Sequence, residues 1–395
     1  MNSELARNRK PSVVIASIGR FHVLDLAREL HRLGYDVVFI SALSRARVEQ
    51  FGLPRQCHRS FRWWLAPLLL LSRLVPSGTA KQFIELLIYK AANLLTIAMM
   101  PRCDIFVGMA GIHVAAGAFA KRRFGAKFFL ERGSRHILSQ KEILDAISKL
   151  SPGAKSVSRF TLSRDLAGYD SADLIVVPAA HAEESFLVRG TPKGRIFRNP
   201  YGVDLEMFAR GSADLREPDL VLFVGAWSFQ KGVDVLSTAC RSLQRSFRLV
   251  HVGAVADAPF PTEAWFRSHG PVDQSKLRHW YARAAVMVLP SRQEGLALVM
   301  AQALACGCPV VATNMTGAND LAELLGAASM IDVIPAGDAI ALSEAIARRL
   351  DSSGAMDIPR NRMQESLSWK AYGARYAAKI DEVLGLARDP LRVQA

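Results

Sequence analysis

Short apolar, β-branched runs alternate with amphipathic stretches along the whole chain. In the first half the apolar runs cover 13–16, 37–40, 105–107, 127–130 and 174–177, and in the second half 220–224, 249–252, 286–289, 310–312 and 330–334. The stretch 23–33 has apolar residues at 23, 24, 26, 27 and 30, the spacing of one helix face. Strands and helices in alternation predict an α/β fold with parallel sheets wound with helices on both faces.

The pattern divides into two halves near the turn-rich segment 198–202. A chain of 395 residues is long enough for two domains, each with its own hydrophobic core. We therefore expect two Rossmann-like domains, over 1–198 and 199–370, that face a central cleft. A final helix within 371–395 is expected to return towards the N-terminal domain.

Composition excludes some classes of protein and leaves the partner open. Half of the residues are hydrophobic and 22% are charged, which excludes a disordered chain. Residues 1–200 contain 30 basic and 15 acidic residues, whereas residues 201–395 contain 20 and 21, so the net charge of +14 lies in the first half. This asymmetry predicts an anionic partner there: nucleic acid, a membrane surface or a phosphorylated substrate.

The cysteines and the chain's apolar runs bear on location. Five scattered cysteines do not form a disulfide framework or a common zinc motif, which favours a reducing, cytoplasmic compartment. We expect no signal peptide in MNSELARNRK. The longest uncharged run, 295–319, is broken by turn residues, and no membrane-spanning helix is expected.

Four loops that follow predicted strands contain polar or glycine-rich sequence. In doubly wound sheets, ligands bind beyond the carboxyl ends of the strands. The loops cover 19–22, 131–136, 225–232 and 290–296. The last contains Glu294 and Gly295 ahead of a predicted helix over 296–305, whose free N–H groups suit a phosphate. Glu294 and Gln302, eight residues apart, are expected on one face of this helix, where both reach sugar hydroxyls.

The segment PSRQEGLALVMAQALACGCPVVATNMTGANDL (290–321) resembles the retaining GT-B glycosyltransferases of family 4. Those enzymes have Pro-Ser-x-x-Glu-Gly, a second Glu eight residues after the first, and Gly-x-Pro-Val-Val-Ala. The similarity continues in NPYGVDLEMF (199–208) and LFVGAWSFQKGVDVL (222–236). In the first half, ERGSRHI and GYDSADLIVVPAAHAEESF resemble the bacterial surface-polysaccharide branch of this family.

The loop positions and the resemblance together predict the site residues. Catalytic roles are expected for Glu294, His136 and Lys231. Donor binding is expected for a larger set that follows the strands: Gly19, Arg132, Lys231, Glu294, Gly295, Leu296, Ala297, Leu298 and Gln302. Acceptor binding is expected for Arg20, His22, Ser134 and Arg135. Two roles stay open. His22, His136 or a backbone group there would stabilise the charge that develops on the sugar. Alternatively, Arg132, Ser134 and Arg135 would bind a phosphate of the acceptor.

Two positions depart from the family pattern. Gln302 stands where the family has its second Glu, which binds the ribose of the nucleotide; an amide still donates and accepts hydrogen bonds there. Ala226 stands where the family has an arginine, so Lys231 is expected to work with Arg20, Arg132 or backbone amides on the diphosphate.

The resemblance implies a metal-independent, retaining glycosyltransferase (EC 2.4 class) without a cofactor. It would move a sugar from a nucleotide sugar to a hydroxyl of a lipid-linked saccharide acceptor in bacterial surface polysaccharide biosynthesis. The N-terminal domain would bind the acceptor and the C-terminal domain the donor. A catalytically silent GT-B protein that binds nucleotide sugar or scaffolds an assembly complex is the alternative. A nucleic-acid partner is not expected, because no binding module is recognisable.

A membrane surface is the last expected partner. RSFRWWLAPLLLLSRL (59–74) and QFIELLIYKAANLLTIAMM (82–100) place Trp63, Trp64 and a leucine run beside arginines, as in segments that lie in a lipid interface. The alternative is that both are packed helices of the first domain. With the basic first half, the pattern favours a cytoplasmic protein held peripherally on the inner face of the plasma membrane.

Overall fold

The computed structural model of the protein describes residues 11–75, 78–150, 156–210, 215–351 and 358–386. Within these residues the N-terminal half has seven strands: β1 (Ser12–Ser17), β2 (Asp36–Ser41), β3 (His58–Ser60), β4 (Ile105–Met109), β5 (Lys127–Glu131), β6 (Leu174–Val177) and β7 (Ile196–Arg198). They form one parallel sheet in the order β3-β2-β1-β4-β5-β6-β7.

Eight helices cover this sheet in the described part of the N-terminal half. They are α1 (His22–Arg32), α2 (Arg45–Gln50), α3 (Arg62–Leu74), α4 (Thr79–Met99), α5 (Val114–Phe124), α6 (Ile137–Ser148), α7 (Arg159–Ser171) and α8 (Ala180–Leu187). The central strands β1 and β6 are buried along their whole length, as expected of strands with helices on both faces.

The described C-terminal half repeats this plan with six parallel strands. They are β8 (Glu217–Val224), β9 (Arg248–Val252), β10 (Phe266–Ser268), β11 (Ala284–Leu289), β12 (Val310–Thr313) and β13 (Ile331–Ile334), in the order β10-β9-β8-β11-β12-β13. The helices are α9 (Val233–Ser242), α10 (Gln274–Arg283), α11 (Leu298–Ala305), α12 (Ala318–Leu325), α13 (Ala339–Asp351) and α14 (Arg360–Leu367). The predicted fold class, two Rossmann-like domains with parallel sheets, is confirmed.

The last described helix, α15 (Trp369–Leu384), packs against α1 of the N-terminal domain. The two backbones come so close that a Cβ added at Gly373 would lie 2.4 Å from Cβ of Glu29. The hydroxyl of Tyr35 donates to Asp381 across the same contact at 2.6 Å. Residues 387–395 of the helical segment expected over 371–395 lie outside the described residues.

We expected no helix able to span a membrane, and helix α4 does not fit this expectation. Among the described residues, Ala80–Met99 is long and apolar enough to do so by length and composition, with a mean hydropathy of 1.2 and 22% of it buried. Lys81, Glu85 and Lys90 interrupt the uncharged run in this helix, yet they leave its average apolar. A core helix of a soluble protein passes the same test. Here Ile84, Ile88 and Ala92 form a buried stripe against the N-terminal core.

Candidate active site in the cleft between the domains

The order of the strands in each sheet determines which loops lie next to each other at the cleft. In the C-terminal sheet β8 pairs with β11, although they are not consecutive in the chain, and in the N-terminal sheet β1 pairs with β4. Chain connections leave such a pair in opposite directions, which opens a crevice at the carboxyl ends of the two strands. The loop after β8 therefore lies beside the loop after β11.

Lys231 and Glu294 meet across these two loops. Nζ of Lys231 donates to Oε1 of Glu294, and the hydroxyl of Ser291 donates to the same oxygen at 2.9 Å. Both side chains are partly exposed, Lys231 by 25% and Glu294 by 15%, so a bound molecule can reach them. The arrangement places a cation and a hydrogen-bonding carboxylate at one point of the cleft wall.

The backbone around this pair is tightly fixed. Lys231 ends the short 3₁₀ turn Phe229–Lys231, and Gly232 follows with a left-handed φ of 70°. A Cβ on Gly232 would lie 2.0 Å from the carbonyl oxygen of Pro290, so only glycine allows the two loops to pack this closely. Arg292 adds a bidentate ion pair with Asp234, both distances being 2.6 Å.

Helix α11 points its N-terminus into the cleft beside Glu294. It begins at Leu298, after Ala297, and no described side chain caps it. Its first N–H groups are therefore available to an anion. Because the helix begins two residues later than expected and four after Glu294, Glu294 and Gln302 do not share a helix face, which corrects the sequence prediction. Gln302 is buried in the second turn, where its Oε1 accepts from Tyr281 at 3.1 Å.

The N-terminal wall of the cleft is formed by Arg20 and His22, which the sequence assigned to the acceptor. Arg20 is exposed, stacks on Phe51 at 3.8 Å and donates to Gln274 of the other domain at 3.2 Å. Nε2 of His22 lies 2.8 Å from Oε2 of Glu131. An ionised carboxylate only accepts, so this contact fixes the imidazole with its proton on Nε2. Gly19 lies just before Arg20 in the same loop, and its carbonyl accepts from Ser17 at 2.7 Å.

The two walls touch through the 133–135 and 293–295 segments. A Cβ on Gly295 would lie 1.9 Å from the carbonyl oxygen of Gly133, so the backbones are in direct contact. Beside them, Nε2 of Gln293 donates to the hydroxyl of Ser134. Arg135 reaches Met315 of the C-terminal domain, with 3.4 Å between Nη1 and Sδ. Ser134 and Arg135, expected at the acceptor, therefore lie where the domains meet.

His181, which the sequence analysis did not select, also bridges the domains. Its Nε2 lies 2.9 Å from the carbonyl oxygen of Gly295. Burial lowers the pKa of His181 to about 4, so the ring is neutral at physiological pH and donates through Nε2. Its sequence position, just after the predicted strand over 174–177, was the available signal.

Two predicted site residues are not brought to the cleft. His136, expected to be catalytic, is buried between Tyr169 and Phe186 and caps α6 by accepting from the N–H of Leu138 at 3.2 Å. Burial lowers its pKa to about 4. Its ring turns inward because the capping position ties Nδ1 to the start of the helix.

Arg132, expected at the donor, points into the N-terminal domain instead. Its Nη1 donates to Asp165 at 3.2 Å, and Nη2 donates to Gln140. Its Nε donates to the carbonyl oxygen of Arg135 at 2.9 Å. These three partners hold the guanidinium away from Lys231 and Glu294, so the structure does not place it at the expected diphosphate position.

A cavity of about 820 Å³ lies between the domains. Lining residues contributed by both domains include Arg20, His22, Gly133, Tyr201, Leu298 and Gln302. The volume lies in the range of small-molecule sites. Leu296 and Ala297, also predicted to bind the donor, are buried just before the first residue of α11. In the part of the chain that the structure describes, no three His, Cys, Asp or Glu side chains are grouped to hold a metal ion.

Glu131 is the buried group that sequence reasoning missed. It ends β5, is 2% exposed, and accepts from both His22 and the hydroxyl of Tyr376 at 2.8 Å. Tyr376 lies on α15, so the C-terminal helix helps to orient a side chain of the cleft. A carboxylate directly after three apolar residues, at the carboxyl end of a predicted strand, could have identified Glu131 from the sequence. Its contact with Tyr376, 245 residues later, could not have been predicted.

Residues 218–352, which contain Lys231, Glu294 and Gln302, match the family described as Glycosyl transferases group 1. The match lies within the C-terminal half of the chain. A D-inositol 3-phosphate glycosyltransferase of Xylanimonas cellulosilytica is 34% identical over 170 residues, which cover 36% of this chain and 41% of that protein. A putative teichuronic acid biosynthesis glycosyltransferase of Bacillus subtilis is 32% identical over 163 residues, covering 38% and 40%. The chain thus matches about two fifths of the length of these curated relatives.

Solved structures extend the similarity to both domains at the level of the fold. A sucrose-phosphate synthase of Thermosynechococcus elongatus superposes with a TM-score of 0.67 at 20% identity, covering 96% of this chain and 100% of that one. HepE of Anabaena, solved with UDP and glucose, gives a TM-score of 0.65 at 13% identity, covering 94% and 100%. The region that matches the family model is therefore the C-terminal half of a two-domain GT-B fold.

Proposed function

We propose that the protein is a glycosyltransferase that takes a sugar from a nucleotide sugar bound in the cleft. The observation that supports this best is the joint placement of Lys231 and Glu294 beside the uncapped start of α11. Lys231 and the N–H groups of α11 are suited to a diphosphate, and Glu294 is suited to hydroxyls of the sugar. Gln302, which we expect at the ribose, lines the cavity between the domains together with Leu298 of α11, while Lys231 and Glu294 do not line it.

These groups suggest how the diphosphate would leave. Negative charge develops on the departing diphosphate as the bond to the sugar breaks, and fixed cations and helix dipoles aimed at that position lower the barrier. The acceptor hydroxyl would attack from the same face and pass its proton to the departing diphosphate oxygen, with retention of anomeric configuration, as the family 4 resemblance implies. Glu294 positions the donor in this scheme. No divalent metal is required.

Thermal-shift measurements against UDP-, GDP- and ADP-sugars test donor binding. A ligand at 100 times its dissociation constant adds about 2.7 kcal/mol of stability to the folded state. We expect a clear rise in melting temperature with sugars of one nucleotide. No rise with any of them, at millimolar concentrations of a well-folded protein, would contradict the proposal.

A silent GT-B protein that only binds nucleotide sugar is the competing candidate, because Gln302 and Ala226 depart from the family pattern. Both candidates predict a thermal shift. Release of nucleoside diphosphate from the stabilising sugar, measured without acceptor, separates them, since a silent protein releases none.

For the acceptor, we propose a lipid-linked saccharide of bacterial surface polysaccharide biosynthesis. The names of the relatives, one for inositol phosphate and one for teichuronic acid, do not agree on one acceptor. The support for a lipid-linked acceptor therefore comes from the surface of α3 and α4. Several large apolar side chains there are exposed: Trp63 by 81%, Trp64 by 72%, Leu74 by 72%, Phe83 by 59% and Leu94 by 67%.

The same surface suggests a peripheral location on the inner face of the plasma membrane. Helix α4 keeps a buried stripe against the domain core while its other faces are exposed, which suits a helix lying in the lipid interface better than one crossing it. The basic first half of the chain adds attraction to anionic lipid, about 1 kcal/mol for each basic residue near the surface. Nucleic acid is not among the proposed partners.

A further inference from the structure

A second cavity lies inside the N-terminal domain, separate from the cleft. Its volume is about 680 Å³, and α4, α6 and α7 enclose it with the loops that follow β4 and β5. It therefore opens at the carboxyl ends of two neighbouring strands, where α/β sheets bind ligands. The two cavities share no lining residue.

Arg164 of α7 is the unusual side chain of this cavity. Its guanidinium carbon lies 3.9 Å from the ring centre of Tyr89 and 4.2 Å from that of Phe160. Nε and Nη1 are buried and have no hydrogen-bond partner among the described residues. Buried charged donors without partners are costly, so a bound acceptor at Nε and Nη1 would be stabilising.

The chemistry around Arg164 favours a phosphate-like anion. Arginine stacked on aromatic rings keeps its planar donors in a fixed direction and pairs well with phosphate oxygens. Lys81 and Arg132 also line the cavity. The acidic residues there are Glu85 and Asp165, and Asp165 is already paired with Arg132 at 3.2 Å.

The cavity is connected to the cleft through the 132–135 loop. Arg132 lines the cavity, while Gly133 and Ser134 touch the segment that contains Glu294. A ligand anchored at Arg164 would thus extend along this loop towards the donor. Exposed Phe83 and Leu94 lie on α4, the helix that also contributes Tyr89 to the cavity wall.

We propose that this cavity binds the phosphate or diphosphate group of the sugar acceptor, with Arg164 as the main anchor. The proposal rests on the proposed function, because it assigns the acceptor of the same transfer. Two kinds of acceptor carry such a group: a soluble phosphorylated acceptor, and a lipid phosphate or diphosphate whose tail would lie along α4.

Calorimetric titration with inorganic pyrophosphate tests the anchor. The titration uses Lys231→Ala, which weakens the diphosphate site of the cleft, with and without Arg164→Met. Methionine keeps an apolar chain between the two rings and removes only the charged donors. Loss of the guanidinium is expected to weaken pyrophosphate binding roughly 10- to 100-fold. Arg159→Met, on the exposed side of the same helix, is the matched control and should leave the affinity unchanged.

Arg164→Lys keeps the charge without the planar donors and is expected to bind with intermediate affinity, which keeps the test valid if Arg164→Met folds poorly. Equal pyrophosphate affinity with and without the arginine would overturn the proposal. Nucleoside diphosphate binding by Arg164→Met alone should match the wild type. If the wild type itself fails to bind nucleoside diphosphates, the proposed function fails instead.

Farnesyl diphosphate distinguishes the two kinds of acceptor. Tighter binding than pyrophosphate, dependent on Arg164, supports a lipid-linked acceptor, and equal binding, also dependent on Arg164, supports a soluble one. Binding of farnesyl diphosphate that does not depend on Arg164 contradicts the proposed site.

Discussion

At the scale of single residues, the Lys231–Glu294 contact would let one pair of side chains bind two parts of the proposed donor. Without a ligand, the ammonium group finds its counter-charge in the nearest carboxylate. A bound diphosphate would offer Lys231 a stronger partner and leave Glu294, still held by Ser291, to accept from sugar hydroxyls. Because both groups are partly exposed, the exchange requires no burial of unpaired charge.

We therefore expect Lys231→Ala to weaken binding of nucleoside diphosphates while leaving binding of the nucleoside nearly unchanged. The lost charge acts on the diphosphate and not on the base, and a charge-assisted contact is typically worth about 1.5–3 kcal/mol. Calorimetry with both ligands measures the difference. Lys276→Ala, an exposed lysine of the same domain, is the control. Equal losses for nucleoside and diphosphate would indicate a structural lysine.

The absence of a metal requirement is a second prediction at this scale. In the proposed mechanism, Lys231 and the α11 N-terminus would supply the positive potential that a divalent ion otherwise supplies at the diphosphate. Transfer or donor hydrolysis in the presence of EDTA should match the untreated rate. A loss of activity that Mg²⁺ restores would contradict the mechanism.

At the scale of elements, α3 and α4 form the surface that we propose binds the membrane. We expect the wild type to sediment with anionic liposomes at low salt and to be released as salt is raised, because screening removes the electrostatic part of the attraction. Trp63→Ser with Trp64→Ser should weaken sedimentation further, since tryptophan anchors at the interface.

Ile340→Ser is the matched control for this experiment. Ile340 is 74% exposed on α13 of the C-terminal domain, so the substitution removes an exposed apolar side chain away from the proposed surface. A folded wild type that stays in the supernatant at low salt would contradict the membrane proposal.

The elements also show what the sequence could and could not predict. The ten predicted strands are present, because strands buried on both faces have continuous apolar runs. β3, β7 and β10 were missed, since three-residue edge strands such as His58–Ser60 and Phe266–Ser268 contain too few apolar residues to form a pattern. The four polar or glycine-rich loops follow strands as predicted, because the apolar runs of the buried strands fix where the loops begin.

Side-chain directions inside those loops were not predictable. Arg132 and His136 follow the same strand as Ser134, yet they turn into the N-terminal domain because Asp165 and the start of α6 hold them there. Those partners come from other elements or from the exact start of a helix. Neither is visible in a local pattern.

At the scale of the whole molecule, buried histidines link stability to pH. Burial lowers the pKa of His113 to about 3, against 6.5 for a solvated histidine. Between these values the unfolded chain binds a proton that the folded protein does not, so stability falls as the pH drops below 6.5. For His113 the loss at pH 5 relative to neutral pH is about 2 kcal/mol.

We expect His113→Asn to reduce this acid sensitivity. Asparagine does not titrate, and its side-chain oxygen can replace Nδ1, which accepts from the N–H of Met109 at 3.2 Å. Denaturant unfolding at pH 7.5 and pH 5 measures the free energies of wild type and variant. The same loss of stability on acidification in both proteins would show that His113 does not contribute.

The most direct test of the proposed donor site is release of nucleoside diphosphate from a panel of UDP-, GDP- and ADP-sugars, without added metal. We expect the wild type to hydrolyse sugars of one nucleotide slowly, and Glu294→Gln to release product about 10²–10³ times more slowly, since loss of one well-placed polar contact has effects of this size. Glu344→Gln, an exposed residue of α13, should match the wild type. Wild-type rates in a pure, folded Glu294→Gln protein, or no binding or release by the wild type with any sugar of the panel, would contradict the account.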